Sequence, residues 1–394
     1  MDASFFISSR LRFKGKVAIV SIAISFLVMI IAVSVSSGFR REIRGGISSV
    51  SGDIQLMPLN MNLMNDASPV ESDASYMPYL KDMKEVETVI PVIYRGGIVK
   101  HGGDIHGVLV KGGPSGHMMN FSNDSTPLAV SVPRRLSEVT GLGVGDRMLT
   151  YFVGDKVRAR QFNIADVYDS ALETDDRLVV YADIADLQRL NGWSETQVSA
   201  MEVMLEAYSR DEETIGYLEE EIGALVYAYT TEDETTVVAS SCVSRYPQLF
   251  DWLNLLDFNV LFILILMIIV AGFNMISGLL IMLFENISTI GLLKTLGMTD
   301  RSIAKVFLSS SAVLTLKGMA MGNAIAILFC IIQGSTHLLK LDPSNYFVSF
   351  VPVRMDLELV LAADAGAFVV IMILLLIPCL FISKVDPAET VRVK

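Results

Sequence analysis

The sequence predicts an α-helical membrane protein with four transmembrane helices and a large α+β domain inserted between helices 1 and 2. Three observations carry this. The 394 residues are 52% hydrophobic with a mean hydropathy of +0.50, well above what a water-soluble domain shows. The apolar weight gathers into four blocks, and at about 1.5 Å of rise per residue each is long enough to cross a hydrocarbon core of about 30 Å. The net charge of −12 is split: residues 51–257 hold 33 acidic and 15 basic side chains, a net of −18, which leaves +6 for the rest. The basic part lies beside the apolar blocks, where anionic lipid favours it, and the acidic part lies in the long middle segment.

Residues 1–16 interleave Phe5, Phe6, Ile7, Leu11 and Phe13 with Arg10, Arg12 and Lys14, as in an interfacial helix on the inner leaflet. Residues 17–37 form the first span; its apolar run exceeds the about 7 to 15 residues of a signal h-region, so it is read as a retained anchor. Residues 38–257 are long enough for a domain with two subdomains. Strands are expected near Ile54–Leu59, in a hairpin series over 89–110 punctuated by glycine pairs, and at 129–132, 148–153, 158–167, 177–181 and 198–205. Helices are expected at 79–86, 133–140, 184–190 and 211–222, with a β-rich subdomain near 126–200 and a loop over the polar stretch after Leu59.

The second span covers 258–284 and leads without a spacer into ENISTIGLLKTLGMTDRSIAKVF, which is too polar for membrane core. Here Ile287, Ile290, Leu293 and Leu296 recur every three residues, giving a short amphipathic helix with one apolar stripe. Gly297 stops it, and Thr299 with Asp300 caps a helix returning to the membrane, so 285–307 forms a docking knob. The third span covers 308–332, a loop 333–358, the fourth span 359–381 and a tail 382–394. Basic residues before the first span, between the second and third, and after the fourth put both termini and the knob in the cytoplasm, although Arg40, Arg41 and Arg44 argue the other way.

The chain offers little chemistry of its own. No G-x-x-x-x-G-K-[ST] occurs, so energy from a nucleotide must come from a partner. His101 and His106 are not spaced as a helical zinc pair, and Gly113–His117 lacks the second glycine of a nucleophile elbow. Cys242 stands alone in the middle segment, so no disulfide framework is expected there. Within the spans, Lys317 either snorkels to the headgroups or pairs inside the bundle. Asn274 and Ser277, with Gly272 and Gly278, allow close helix approach, and Asp364 is placed near the outer end of the fourth span, in interfacial water.

Glu285, Ile290-Gly291-Leu292-Leu293-Lys294 and Leu296-Gly297 resemble the coupling helix of ABC transporter permeases of the MacB/FtsX/Lol superfamily. Ala271-Gly272-Phe273-Asn274-Met275-Ile276-Ser277 and the exit Ser34-Val35-Ser36-Ser37-Gly38-Phe39 are similar to the lipoprotein-releasing LolC/LolE branch, and the tail Lys384-Val385-Asp386-Pro387-Ala388-Glu389 resembles the closing signature of the superfamily. Asn286, Ile287, Ser288 and Thr289 depart from the charged residues usual after the glutamate, which implies a less charged contact.

The resemblance implies a MacB-like periplasmic domain and a non-catalytic permease in the bacterial inner membrane, without cofactor or metal. It implies an ABC ATPase dimer touching Glu285, Ile287, Ile290, Gly291, Leu293, Lys294, Leu296 and Gly297, and a second permease copy or paralogue. Gly38, Phe39, Phe273, Asn274 and Ser277 would serve helix packing and lateral entry of a lipoprotein cargo bound for a periplasmic carrier, within membrane lipid and without nucleic acid. An FtsX-like subunit that only transmits force to an extracytoplasmic partner, and a MacB-like efflux permease, are the alternatives.

Overall fold

The computed structural model describes residues 16–61, 68–114, 127–154, 157–169, 178–342, 346–380 and 382. The interfacial segment, the tail from Ser383 and the Gly113–His117 loop beyond Pro114 lie outside them. The chain divides into two compact units, one of Met1–Arg40, Trp252–Lys340 and Phe350–Lys394, the other of Arg41–Asp251 and Leu341–Ser349.

The first unit is helical. Its elements are α1 (Lys16–Ser51, shared with the second unit from Arg41), α7 (Pro247–Glu285, shared up to Asp251), α8 (Ile287–Thr295), α9 (Asp300–Thr336), α10 (Leu357–Leu374) and α11 (Leu376–Cys379). Among the described residues, four helices are long and apolar enough to cross a membrane: those starting at Val17, Pro247, Asp300 and Leu357. Two run well past the apolar blocks. α1 continues to Ser51 and α7 starts at Pro247, because hydropathy marks only the part of a helix that lipid would surround, while the helix ends where its breakers stand. Pro247 is at the first helical position, which its missing N–H and fixed φ suit. One core joins Ile22 and Phe26 of α1, Met275 and Leu279 of α7, Phe307 of α9 and Ile371 of α10.

Small residues bring α1 and α9 together. A Cβ on Gly322 would stand 2.4 Å from the carbonyl oxygen of Ala23, one on Gly318 would stand 2.7 Å from Ile22, and Ala326 one turn later is fully buried. The Gly318-x-x-x-Gly322-x-x-x-Ala326 ladder lets two backbones approach as lipid-facing packing requires, since apolar burial alone gives little drive between helices in lipid. Gly272 plays the same part for α7, where a Cβ would be 2.6 Å from Leu374 of α10.

The second unit is α+β. Its strands are β1 (Ile54–Pro58), β2 (Val70–Glu71), β3 (Val86–His101), β4 (Asp104–Gly113), β5 (Ala129–Pro133), β6 (Arg147–Phe152), β7 (Arg158–Tyr168), β8 (Val179–Asp183), β9 (Gln197–Val198), β10 (Ala200–Leu205) and β11 (Val237–Ser241). Its helices, besides the ends of α1 and α7, are α2 (Met77–Lys81), α3 (Arg134–Thr140), α4 (Ile184–Asn191), α5 (Glu212–Tyr229) and α6 (Cys242–Arg245). The main sheet runs β11-β1-β10-β3-β4-β8-β5-β7-β6, and β3 also pairs with β6. That last pairing, Gly97 to Val99 against Thr150 to Phe152, closes β3-β4-β8-β5-β7-β6 into a ring, while the first half of β3 pairs with β10 in an open sheet.

Several expectations change here. The hairpin series over 89–110 is one hairpin of two long strands, turned at Gly102-Gly103 where Gly102 has φ +59°. Gly97 does not break β3; it makes room for ring closure, since a Cβ there would lie 2.8 Å from Thr150 Cγ2. The β-rich part therefore begins in β3, well before residue 126. The helix expected at 79–86 is α2, and Val86 already belongs to β3; the helix expected to end at Ile222 runs to Tyr229. Strand β11, in a stretch rich in Ser and Thr, carried no alternation strong enough to announce it.

Candidate coupling site and the root of the first helix

α8 is built by two backbone breaks. Asn286 leaves helical geometry at φ −110°, ψ 21°, turning the chain out of α7, and Gly297 at φ +88° ends the segment in a conformation that L side chains rarely adopt. Thr299 then caps α9, its side chain accepting from the Ser302 N–H. Within α8 the predicted stripe divides. Ile290 and Gly291 are buried, and Ile287 and Leu293 pack half-buried on the core of the helical unit, so these residues hold α8 rather than face outward. Leu296 is 75% exposed and Leu292, one turn before it, 56%; with exposed Glu285 and Gly297 they form the outward surface. Leu292 was not among the predicted contact residues, because the three-residue repeat through Ile287, Ile290, Leu293 and Leu296 passes it by. Lys294 is tied down: its Nζ donates to the Ile382 carbonyl at 2.7 Å and lies 3.0 Å from Asp300.

The predicted packing residues fall in two places. Gly38 is held against the chain before α10, where a Cβ would be 2.4 Å from the Pro352 carbonyl oxygen. Next to it Phe39 meets Trp252 edge-on at 5.8 Å, and Asp257 of α7 accepts from both Ser36 and Arg40. α1 and α7 are thus pinned together at Gly38-Phe39. Phe273 and Ser277 are exposed and Asn274 half-buried on α7, with no mutual bond shown. Asp364 does not sit in interfacial water. It is 5% exposed and accepts from Asn323 Nδ2 at 2.6 Å, because its face of α10 is turned to α9; Lys317 is exposed on α9.

A third arrangement escaped the sequence reading. α1 ends at Ser51 with Gly52 at φ +67°, and the carbonyls left without helical partners are met by side chains from three other elements. Lys111 Nζ of β4 donates to Val50 O at 2.7 Å and Ser49 O at 3.3 Å, Tyr94 Oη of β3 to Val50 O at 3.1 Å, and Arg245 of α6 to Ser51 O at 2.9 Å. Cations at a helix C-terminus also complement its dipole. Lys111 is fully buried and bonded to the Glu202 carboxylate of β10 at 2.9 Å, and Glu202 accepts from Tyr94 as well. Burial pulls Lys111 below its ordinary value and pushes Glu202 up; the attraction between them opposes both shifts. Burial, then Glu202, raises Tyr94 well above the ordinary tyrosine value. Asp53, also fully buried, accepts from Ser48 Oγ at 2.8 Å and Leu205 N at 2.9 Å and lies 3.2 Å from Arg210. Lys111 and Glu202 are 91 residues apart, so only the β10-β3-β4 pairing could reveal them.

Among the described residues no group of three or more His, Cys, Asp or Glu could hold a metal. Cys242, Cys330 and Cys379 are free and buried.

Against known proteins, residues 261–387 match the family model described as FtsX-like permease C-terminal. Along 97% of this chain and 94% of the relative, it is 21% identical to the lipoprotein-releasing system transmembrane protein LolC of Neisseria meningitidis serogroup B. Its identity is 22%, over the same shares, to the LolC protein of Xylella fastidiosa strain 9a5c. Among solved structures, the periplasmic region of MacB from Actinobacillus actinomycetemcomitans aligns with 50% of this chain and 91% of its own at 11% identity and a TM-score of 0.32. With an FtsX-like permease model on residues 261–387 and LolC proteins matching it almost end to end, the chain is similar to the MacB/FtsX/Lol superfamily of ABC transporter permeases and is LolC-like.

Proposed function

We propose that this chain is the permease subunit of an ABC transporter that extracts lipoproteins from the bacterial inner membrane toward a periplasmic carrier. The observation that supports this best is that LolC proteins match 97% of the chain, the α+β part included, and not the membrane helices alone. In this reading α8 lies in the cytoplasm and receives a separate ATPase dimer on Glu285, Leu292, Leu296 and Gly297, while Ile287, Ile290, Gly291, Leu293 and Lys294 hold it in place. Residues 38–257 form the periplasmic domain, and 333–358 a periplasmic loop. ATP-driven closure of the ATPase presses α8, and α1 and α7 carry the stroke outward, a two-state change driven by differential nucleotide affinity. Cargo enters sideways near Gly38, Phe39, Phe273, Asn274 and Ser277, at a seam with a second permease copy or paralogue.

Three acyl chains do not leave a bilayer unaided, at about 0.8 kcal/mol per buried CH₂. Depletion should therefore strand triacylated lipoproteins in the inner membrane, and reconstituted complex should release them from vesicles only with ATP and a soluble acceptor. The match of residues 261–387 to an FtsX-like model favours one other reading, a force-transmitting subunit that moves no cargo. Normal lipoprotein sorting with a cell-wall remodelling defect on depletion would select it.

A further inference from the structure

The α+β unit contains a cleft of about 660 Å³ whose residues play no part in the proposed coupling. That volume lies within the range of about 300 to 1,000 Å³ typical of small-molecule sites. Its walls are apolar, lined among others by Met57 and Met61 and by Ile98 and Leu109 of the β3-β4 hairpin. Methionines re-pack around an irregular apolar guest at little cost. Gly107 leaves part of the wall bare, and a Cβ added there would meet nothing within 4 Å. At the cleft also stands Arg245, whose acceptors are Gln55 Oε1 and the carbonyls of Ser51, Gly52 and Ser241, all neutral. The carboxylate in whose field it lies, Glu202, is bonded to Lys111, and the hydrogen bonds of Arg245 go to neutral acceptors, so its guanidinium, which stays protonated, keeps a positive charge at the wall.

We propose that this cleft binds a single long-chain carboxylate, the hydrocarbon lying against Met57 and the β3-β4 hairpin and the head group at Arg245. The cleft is of the size that small-molecule sites have, and a single C16 to C18 chain is a guest of that class. The inference goes beyond the transport reading and involves neither ATP nor an ATPase.

The test uses the full chain in nanodiscs of zwitterionic lipid, labelled with diazirine-bearing palmitic acid and mapped by peptide mass spectrometry. Label should fall in peptides of β1, β3 and β4, and palmitate should displace it at least about tenfold better than hexadecanol, the neutral analogue. Gly107→Phe, which fills the bare wall from open space, should remove the label at unchanged thermal stability. Arg245→Gln should bring palmitate down to the level of hexadecanol. Label confined to the long helices, full labelling of Gly107→Phe, equal displacement by acid and alcohol, or displacement by phosphatidylglycerol as good as by palmitate would each overturn the proposal.

Discussion

Gly322 and Gly366 are both helical glycines, and their surroundings set opposite expectations. A Cβ on Gly322 runs into the Ala23 carbonyl oxygen at 2.4 Å, a backbone atom that cannot swing aside, whereas one on Gly366 meets nothing within 4 Å. Gly322→Ala should therefore cost about 1 to 3 kcal/mol as α1 and α9 are forced apart. Gly366→Ala should be neutral or gain up to about 1 kcal/mol of helix propensity. Unfolding in detergent, followed by circular dichroism, measures both, and a neutral Gly322→Ala would refute the ladder. Sequence reading singles out Gly272 and Gly278 for close helix approach and not Gly318 and Gly322, since nothing local says which helix a glycine faces.

Cys242 offers a pH-dependent test at the same scale. Burial pushes its thiol from 9.0 up to about 11, with Asp53 adding to the effect. The folded state thus holds the proton more tightly than the unfolded chain, and the stability this contributes is complete below pH 9 and lost as pH rises from there through 11. At pH 9 half of the unfolded thiol would be ionised but only about 1% of the folded thiol. Alkylation at the Cys242 peptide should be at least about fiftyfold slower in native protein than in denatured protein at that pH. Comparable rates would mean that the thiol is not sheltered.

At the scale of elements, α8 shows what a sequence pattern can and cannot say. Its existence, its glycine stop and the Thr299 cap are local chemistry and were legible. Which side faces outward was not, because the apolar stripe mixes Ile287, Ile290 and Leu293, which hold α8, with Leu296, which faces out. Leu292→Asp with Leu296→Asp should abolish ATPase co-purification while leaving the unfolding transition in place, since both side chains are exposed. Ile290→Ala should instead lower stability by about 2 to 5 kcal/mol through a core cavity. If the leucine pair is dispensable for association, the ATPase does not dock on α8. The root of α1 lay further out of reach. Lys111, Glu202, Tyr94 and Arg245 read individually as ordinary strand or helix residues, and only the sheet order makes them one cluster around three carbonyls.

At the scale of the whole molecule, the four helices long and apolar enough to cross a membrane were legible from hydropathy, whereas the course of the sheet depended on contacts far apart in sequence. Strand β3 is the clearest case: its first half belongs to the open sheet with β10 and its second half to the closed ring with β4 and β6. Sixteen residues of one strand therefore serve both subdomains without a linker. Under tension the two halves are joined by covalent backbone already near full extension, with no slack to take up before load passes from one to the other. Pulled between Glu212 and Tyr151 in an optical trap, the α+β unit should give way in one rip. Two separated rips would show that β3 yields between its halves, and that sheet and ring bear force as independent bodies.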